Sequence, residues 1–92
     1  MKRKEGELLP LEKTILKVVD RELVTENEWL SHYPDAVVRS WRVAHSEELI
    51  HLQRSGAVYK ALKRLVVLGY LEAVGTFPYV AYRLTPRGLG SL

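Results

Sequence analysis

The stretch from Gln53 to Gly88 admits few folds. It reads QRSGAVYKALKRLVVLGYLEAVGTFPYVAYRLTPRG, and its apolar period changes once, from helical to alternating. Ser55 is a good N-cap, because its hydroxyl can accept an otherwise orphan backbone N–H. No proline interrupts Gly56 to Leu68, and most residues there are strong helix formers. Val58, Ala61, Leu62 and Leu65 fall on one side of such a helix. Tyr59, Lys60, Lys63, Arg64 and Val67 fall on the other. Gly69 stands where a left-handed residue ends a helix. In Tyr70–Val74, Leu71 and Ala73 are expected to face a core and Glu72 water. Gly75-Thr76-Phe77-Pro78 reads as a turn. In Tyr79–Leu84, Val80, Tyr82 and Leu84 share one face, and Tyr79, Ala81 and Arg83 the other. Thr85-Pro86 reads as an N-cap with proline at the first helical position.

The run from Gly56 through Leu65, with Gly69-Tyr70-Leu71, resembles the recognition helix of PadR-type winged-helix repressors. The run Tyr82-Arg83-Leu84-Thr85-Pro86-Arg87-Gly88 resembles the close of the wing in PadR and MarR relatives. The resemblance covers the second half of the chain and, more loosely, Leu11–Asp20. It implies an α+β fold, a winged helix-turn-helix: a helical bundle with a small three-stranded antiparallel sheet. It further implies sequence-specific binding of double-stranded DNA by a transcriptional regulator, a repressor, with recognition helix 55–68 and wing 70–84. Val66 and Val67 depart from it, since relatives carry charge there. Relatives also dimerise through a helix after the wing, and only Leu89–Leu92 follow Gly88 here.

A chain of 92 residues makes one domain, expected over residues 8–92 behind a charged tail of residues 1–7. Charge is segregated along it. Between Leu49 and Leu92, six bases face one acid, Glu72, giving +5; residues 1–48 hold eight bases and ten acids, giving −2. A basic half that coincides with a helix and hairpin points to a polyanion, although a solvated face is the ordinary alternative. There is no cysteine, so no disulfide framework or thiolate chemistry. No apolar run approaches the length of a membrane span, and no apolar segment follows the basic N-terminus as in a signal peptide. A cytoplasmic location is expected. Asn27 and Gln53 are the only side-chain amides and Met1 the only methionine, a hyperthermophile tendency that suggests an archaeal or archaeal-virus source.

Upstream, Pro10 to about Val24 reads as a helix. Leu11, Ile15, Leu16, Val18, Val19 and Leu23 form its apolar arc, with Glu12, Lys13, Lys17, Asp20 and Arg21 on the far side. Thr25-Glu26-Asn27-Glu28 resembles a capping box opening a short helix that Pro34 ends. Ala36–Ala44 fits two periods. A third strand near Trp41–Val43 is one reading, and a helix from Asp35 that groups Val37, Val38, Trp41 and Ala44 is the other. Ser46 reads as the N-cap of a helix to Leu52 that buries Leu49, Ile50 and Leu52.

Candidate DNA-contacting residues are Gln53, Arg54, Ser55, Gly56, Ala57, Tyr59, Lys60, Lys63 and Arg64 on the helix, and Thr76, Tyr79 and Arg83 on the wing. Small Gly56 and Ala57 let backbone approach the duplex, Tyr59 suits a phosphate, and Lys63 and Arg64 read as phosphate clamps. These would neutralise five or six phosphates. The broad apolar arc, wider than one packing stripe needs, makes Leu8, Leu11, Ile15 and Val19, with Trp29 and Tyr33, the candidate homodimer interface; core packing is the plainer reading of Trp29 and Tyr33. Val66, Val67 and the aromatic residues also fit a protein-interaction module. His45 and His51 with Glu47 and Glu48 match no metal-ligand spacing, and no nucleophile–base arrangement or phosphate-binding loop is present. No cofactor, small-molecule substrate or enzymatic activity is expected.

Overall fold

The computed structural model describes residues 8–26, 37–75 and 80–92. Helix α1 spans Pro10–Glu26, strand β1 Val38–Arg39, and helix α2 Ser40–Ala44. A 3-10 helix at Ile50–Ser55 leads into helix α3, Ala57–Val67. Strands β2 (Leu71–Val74) and β3 (Ala81–Leu84) and helix α4 (Pro86–Gly90) complete the chain. The sheet is antiparallel with order β1-β3-β2. The result is an α+β globule, helices followed by a three-stranded antiparallel sheet, consistent with a winged-helix arrangement.

Helix α1 begins with Pro10 at its first position, where a missing N–H costs nothing. The carbonyl of Leu9 accepts the Lys13 N–H at 3.0 Å, and Glu12 Oε1 reaches back to accept the Leu9 N–H at 2.9 Å. That is the return arm of a capping box. Glu12 is accordingly only 2% exposed, not on the solvent side that its spacing suggests. The helix runs on through Thr25 and Glu26, so Thr25 does not cap a second helix; the rest of that expected helix lies outside the described residues.

The apolar arc of α1 is used within the monomer. Ile15, Leu16, Val18 and Val19 are buried to 0–1% exposure among Val38, Val43, Leu49, Val58, Leu62, Leu65 and Leu71. Leu8, Leu11 and Leu23 pack at the rim of this cluster. Each fully buried aliphatic side chain contributes about 1.5–3 kcal/mol. The dimer surface drawn through Ile15 and Val19 is therefore corrected: α1 lies against α2, α3 and the sheet, and these two side chains have no surface left for a second copy. Trp29 and Tyr33 lie outside the described residues.

The 36–44 region resolves its two periods in series. Val38 and Arg39 extend and pair with Tyr82 and Ala81, and the chain turns helical at Ser40. The strand thus precedes Trp41–Val43 rather than occupying it. The helical turn buries Val43 and Ala44 and leaves Trp41 half-exposed. Ser46 is not an N-cap either. Its hydroxyl donates backwards to the Val43 carbonyl at 2.8 Å, closing α2, and such backward bonding competes with a forward cap. The expected helix 46–52 is replaced by a turn and the 3-10 segment. Leu49 is buried, Leu52 partly so, and Ile50 is exposed.

Helix α3 ends in a Schellman motif. Gly69, at φ +85°, donates to Val66 O at 3.0 Å, and Tyr70 N–H donates to Leu65 O at 2.9 Å. Strand β2 then runs back beside α3, burying Leu71; Ala73 is exposed, contrary to its expected place in the core. Thr85 caps α4 as expected, accepting the Gly88 N–H at 3.1 Å. Its hydroxyl donates to Gly69 O at 2.5 Å, and its backbone N–H to Tyr70 O at 3.2 Å. Gly88 is pressed against this corner: an added Cβ would stand 2.2 Å from Tyr70 O and 3.1 Å from Leu84 Cδ2. Gly88→Ala is expected to cost about 1–3 kcal/mol in chemical denaturation, the range of overpacking. Gly90→Ala, with nothing within 4 Å, should stay within about 0.5 kcal/mol of the parent.

Candidate nucleic-acid interface

Helix α3 is divided as its spacing predicts. Val58, Ala61, Leu62 and Leu65 are buried, while Tyr59, Lys60, Lys63, Arg64 and Val67 are exposed. Core packing on one side orients the other outward, so the cationic face follows from the hydrophobic one. Val66 is half-buried against the core, whereas Val67 is 82% exposed.

The entry to α3 is built by Ser55 and Gly56. Gly56, at φ +70°, is the residue before the first helical turn, a conformation that glycine adopts without strain. The helix therefore starts at Ala57, two residues after the expected cap. Ser55 still serves the entry: its hydroxyl accepts the Ala57 N–H at 3.2 Å and donates to Leu52 O at 2.8 Å. Gln53 and Arg54 sit in the 3-10 segment just before, both exposed. Residues 45–56 separate α2 from α3, a longer link than the three or four residues of a tight helix-turn-helix.

The candidate residues divide by what already holds them. Arg54, Lys60 and Lys63 have no carboxylate within ion-pair reach among the described residues. Arg64 is half-exposed, yet its Nε lies 3.7 Å from buried Glu12 Oε2, so it is shared with the N-terminus of α1. Arg83 donates two hydrogen bonds of 2.9 Å to the carboxylate of Glu72 across the hairpin. These bonds hold the Glu72 carboxyl below the ordinary carboxylate range. The Gln53 amide donates to His45 Nε2 at 2.8 Å, and His45 Nδ1 lies 2.7 Å from Trp41 O. That pairing puts the imidazole proton on Nδ1 and ties the segment before α3 to α2. Thr76 and Tyr79 lie outside the described residues. Glu12 and Glu72 are the residues that sequence reasoning missed. A glutamate two positions after Pro10 was a capping-box signal; no comparable signal set residue 72 opposite residue 83, since a turn at Gly75–Pro78 pairs residue 72 with residue 81 instead.

Tyr82 is a buried phenol on β3, and Tyr59 on α3 lies within electrostatic reach of it. Burial raises the Tyr82 phenol above its ordinary pKa of 10.0, and the nearby Tyr59 raises it further. An open cleft of about 560 Å³ is lined by Arg21, Glu22, Trp41, Arg42, His45, Ser46 and Glu47. Its arginines are held: Arg42 by Glu22 at 3.0 Å, and Arg21 by Glu22 at 3.2 Å and by both carboxylate oxygens of Glu48. Among the described residues no three His, Asp or Glu side chains come together to hold a metal, and no helix is long and apolar enough to cross a membrane.

The Tyr82 shift has a defined sign. The folded state holds the phenolic proton more tightly than the unfolded chain does. The resulting stabilisation is complete below pH 10 and is lost as pH rises through the higher folded value. Urea midpoints should fall above pH 10, and Tyr82→Phe should flatten that fall.

Comparison with known proteins yields no matching family model, no matching curated protein and no matching solved structure.

Proposed function

We propose that this chain is a double-stranded-DNA-binding module of the PadR/MarR-like winged-helix type, a transcriptional regulator acting as a sequence-specific repressor. The observation that carries the reading is the outer face of α3. Tyr59, Lys60 and Lys63, with Arg54 beside the helix entry, form an exposed basic surface whose cations have no carboxylate within ion-pair reach among the described residues. An exposed cationic helix face of this kind suits the major groove, with phosphates drawn to its lysines and to the first-turn amides. The element order α1-β1-α2-α3-β2-β3 and the sheet order support the same reading, since they set a hairpin beside the helix.

In this reading α3 enters the major groove. Ser55, Gly56 and Ala57 bring the backbone near the duplex because they carry little side chain. Lys60 reaches a base edge or phosphate, and Lys63 and Arg54 hold phosphates. Arg64 and Arg83 contribute less net charge than their number suggests, because Glu12 and Glu72 already face them.

Fluorescence anisotropy against salt tests this. With Arg54, Lys60 and Lys63 as the main phosphate contacts, the log–log slope should be about −3 per chain, where all five cations together would give about −5. Lys63→Ala should weaken binding on every duplex and flatten the slope by about one unit, and Lys60→Ala should also alter sequence preference. Binding without sequence preference would reduce the reading to nonspecific DNA association. No binding at low salt would end it.

A further inference from the structure

The outer face of the sheet carries two arginines and one carboxylate. The register sets Arg39, Ala81 and Val74 on one rung, where Arg39 and Val74 are exposed and Ala81 between them is buried. The next outward pair is Arg83 with Glu72. Arg83 is held there by two hydrogen bonds of 2.9 Å. Arg39 is exposed and has no carboxylate within ion-pair reach among the described residues.

The rung of Arg39 is the last described one toward the hairpin turn. Ser40 N–H reaches Val80 O at 3.5 Å, which keeps the start of α2 beside that end of the sheet. Strand β2 leaves the Gly69 corner packed against α3, and α2, which begins at the residue after Arg39, packs against both α3 and the 3-10 segment before it. Arg39 thus lies at the turn end of the sheet, directly before the helix that packs on α3, while Arg83 is one step farther back and already paired with Glu72.

We infer that Glu72 silences Arg83, and that Arg39 is the residue through which the sheet meets a DNA phosphate. The inference rests on the DNA-binding reading above and assigns that site a contact outside both the helix and the hairpin. The physical reason is a competition. A phosphate approaching Arg83 must displace a bidentate carboxylate on the same side chain, whereas one approaching Arg39 displaces only water and counterions. Glu72 is the one acid in residues 49–92, and it stands opposite the one arginine of β3.

The test is salt-dependent anisotropy on one duplex, with the parent, Arg39→Ala, Arg83→Ala, Glu72→Gln, and the double variant Glu72→Gln/Arg83→Ala. Lys63→Ala serves as the control for the underlying reading. With Arg39 added to Arg54, Lys60 and Lys63 the parent slope should be about −4 rather than about −3, and Arg39→Ala should weaken binding about fivefold at about 0.1 M salt and flatten the slope by about one unit. Arg83→Ala should leave affinity within about twofold and the slope unchanged. Glu72→Gln should tighten binding about fivefold and steepen the slope by about one unit, since it removes the carboxylate that neutralises Arg83. In the double variant that gain should vanish. Glu72 is 53% exposed, so its removal buries no unpaired group; Glu72→Thr, with a strong strand former, provides a second variant if Glu72→Gln melts early. A silent Arg39→Ala overturns the inference. So does a loss at Arg83→Ala equal to that at Lys63→Ala, or a Glu72→Gln gain that persists without Arg83, which would be general charge repulsion. If the parent binds and Lys63→Ala weakens it, these failures leave the DNA-binding reading standing. If the parent does not bind, both fall together.

Discussion

The fold depends on one corner, where Gly69 and Tyr70 meet Thr85 and Gly88. Each of these residues closes something local. Gly69 ends α3 in a left-handed turn, and Thr85 caps α4. The same atoms also join the two ends of the hairpin. The Thr85 hydroxyl takes the Gly69 carbonyl, Tyr70 O takes the Thr85 amide, and Gly88 lies where any side chain would strike Tyr70 O. Arg87 covers the Tyr70 ring at 4.7 Å from its centroid. Because β2 starts and β3 ends at this corner, it fixes the angle at which the hairpin leaves α3. The spacing Gly69-Tyr70-Leu71 followed by Leu84-Thr85-Pro86-Arg87-Gly88 thus has a mechanical reason, independent of any family. It is two backbone turns that need each other's polar groups and tolerate no Cβ between them.

Helix α1 is the second constraint, and it works from beneath. Its apolar arc is wide because three neighbours press on it: α2, α3 and the sheet. A surplus of apolar width on a helix in so small a domain is therefore no sign of a second copy. Glu12 belongs to the same packing. It completes the start of α1 and, with little surface left, faces Arg64 on α3. A buried carboxylate of this kind is costly unless paired and hydrogen-bonded, and here it is both. The pairing links the roll of α3 to the N-terminus of α1.

What could be read in advance follows a physical line. α3, its glycine stop, the two strands and the Thr85 cap were legible because each is determined by residues close in sequence: a helical period, a left-handed glycine, an alternating run, a hydroxyl before proline. The 36–55 region was not. Val37, Val38, Trp41 and Ala44 satisfy both periods, and only pairing with β3 decides where the extended chain stops. Ser46 had two backbone groups within reach, and the choice of Val43 O over a forward cap depends on α2 having already ended there. For the candidate site, the exposed face of α3 was legible from periodicity, but the state of its charges was not. Arg64 and Arg83 look like Lys60 and Lys63 in sequence. Their difference is made by Glu12 and Glu72, which are distant along the chain.

That difference changes how basic composition should be read. The second half of the chain carries +5, which suggests an evenly sticky surface. In the fold, part of this charge is answered in place: Glu72 meets Arg83, Glu12 meets Arg64, and Arg87 lies over Tyr70. Among the described residues of this half, the cations with no carboxylate in reach are Arg54 just before α3 and Lys60 and Lys63 along its outer face. Part of the acidic first half is likewise engaged within itself, since Glu22 and Glu48 hold Arg21 and Arg42 across α1 and α2. Ion pairs at such exposed positions add little stability each. Their larger effect is to shape the field, removing cations from the flanks so that those near Gly56 dominate what an approaching polyanion meets. For a domain this small, a focused field offers a route to orientation on a duplex before any base is read.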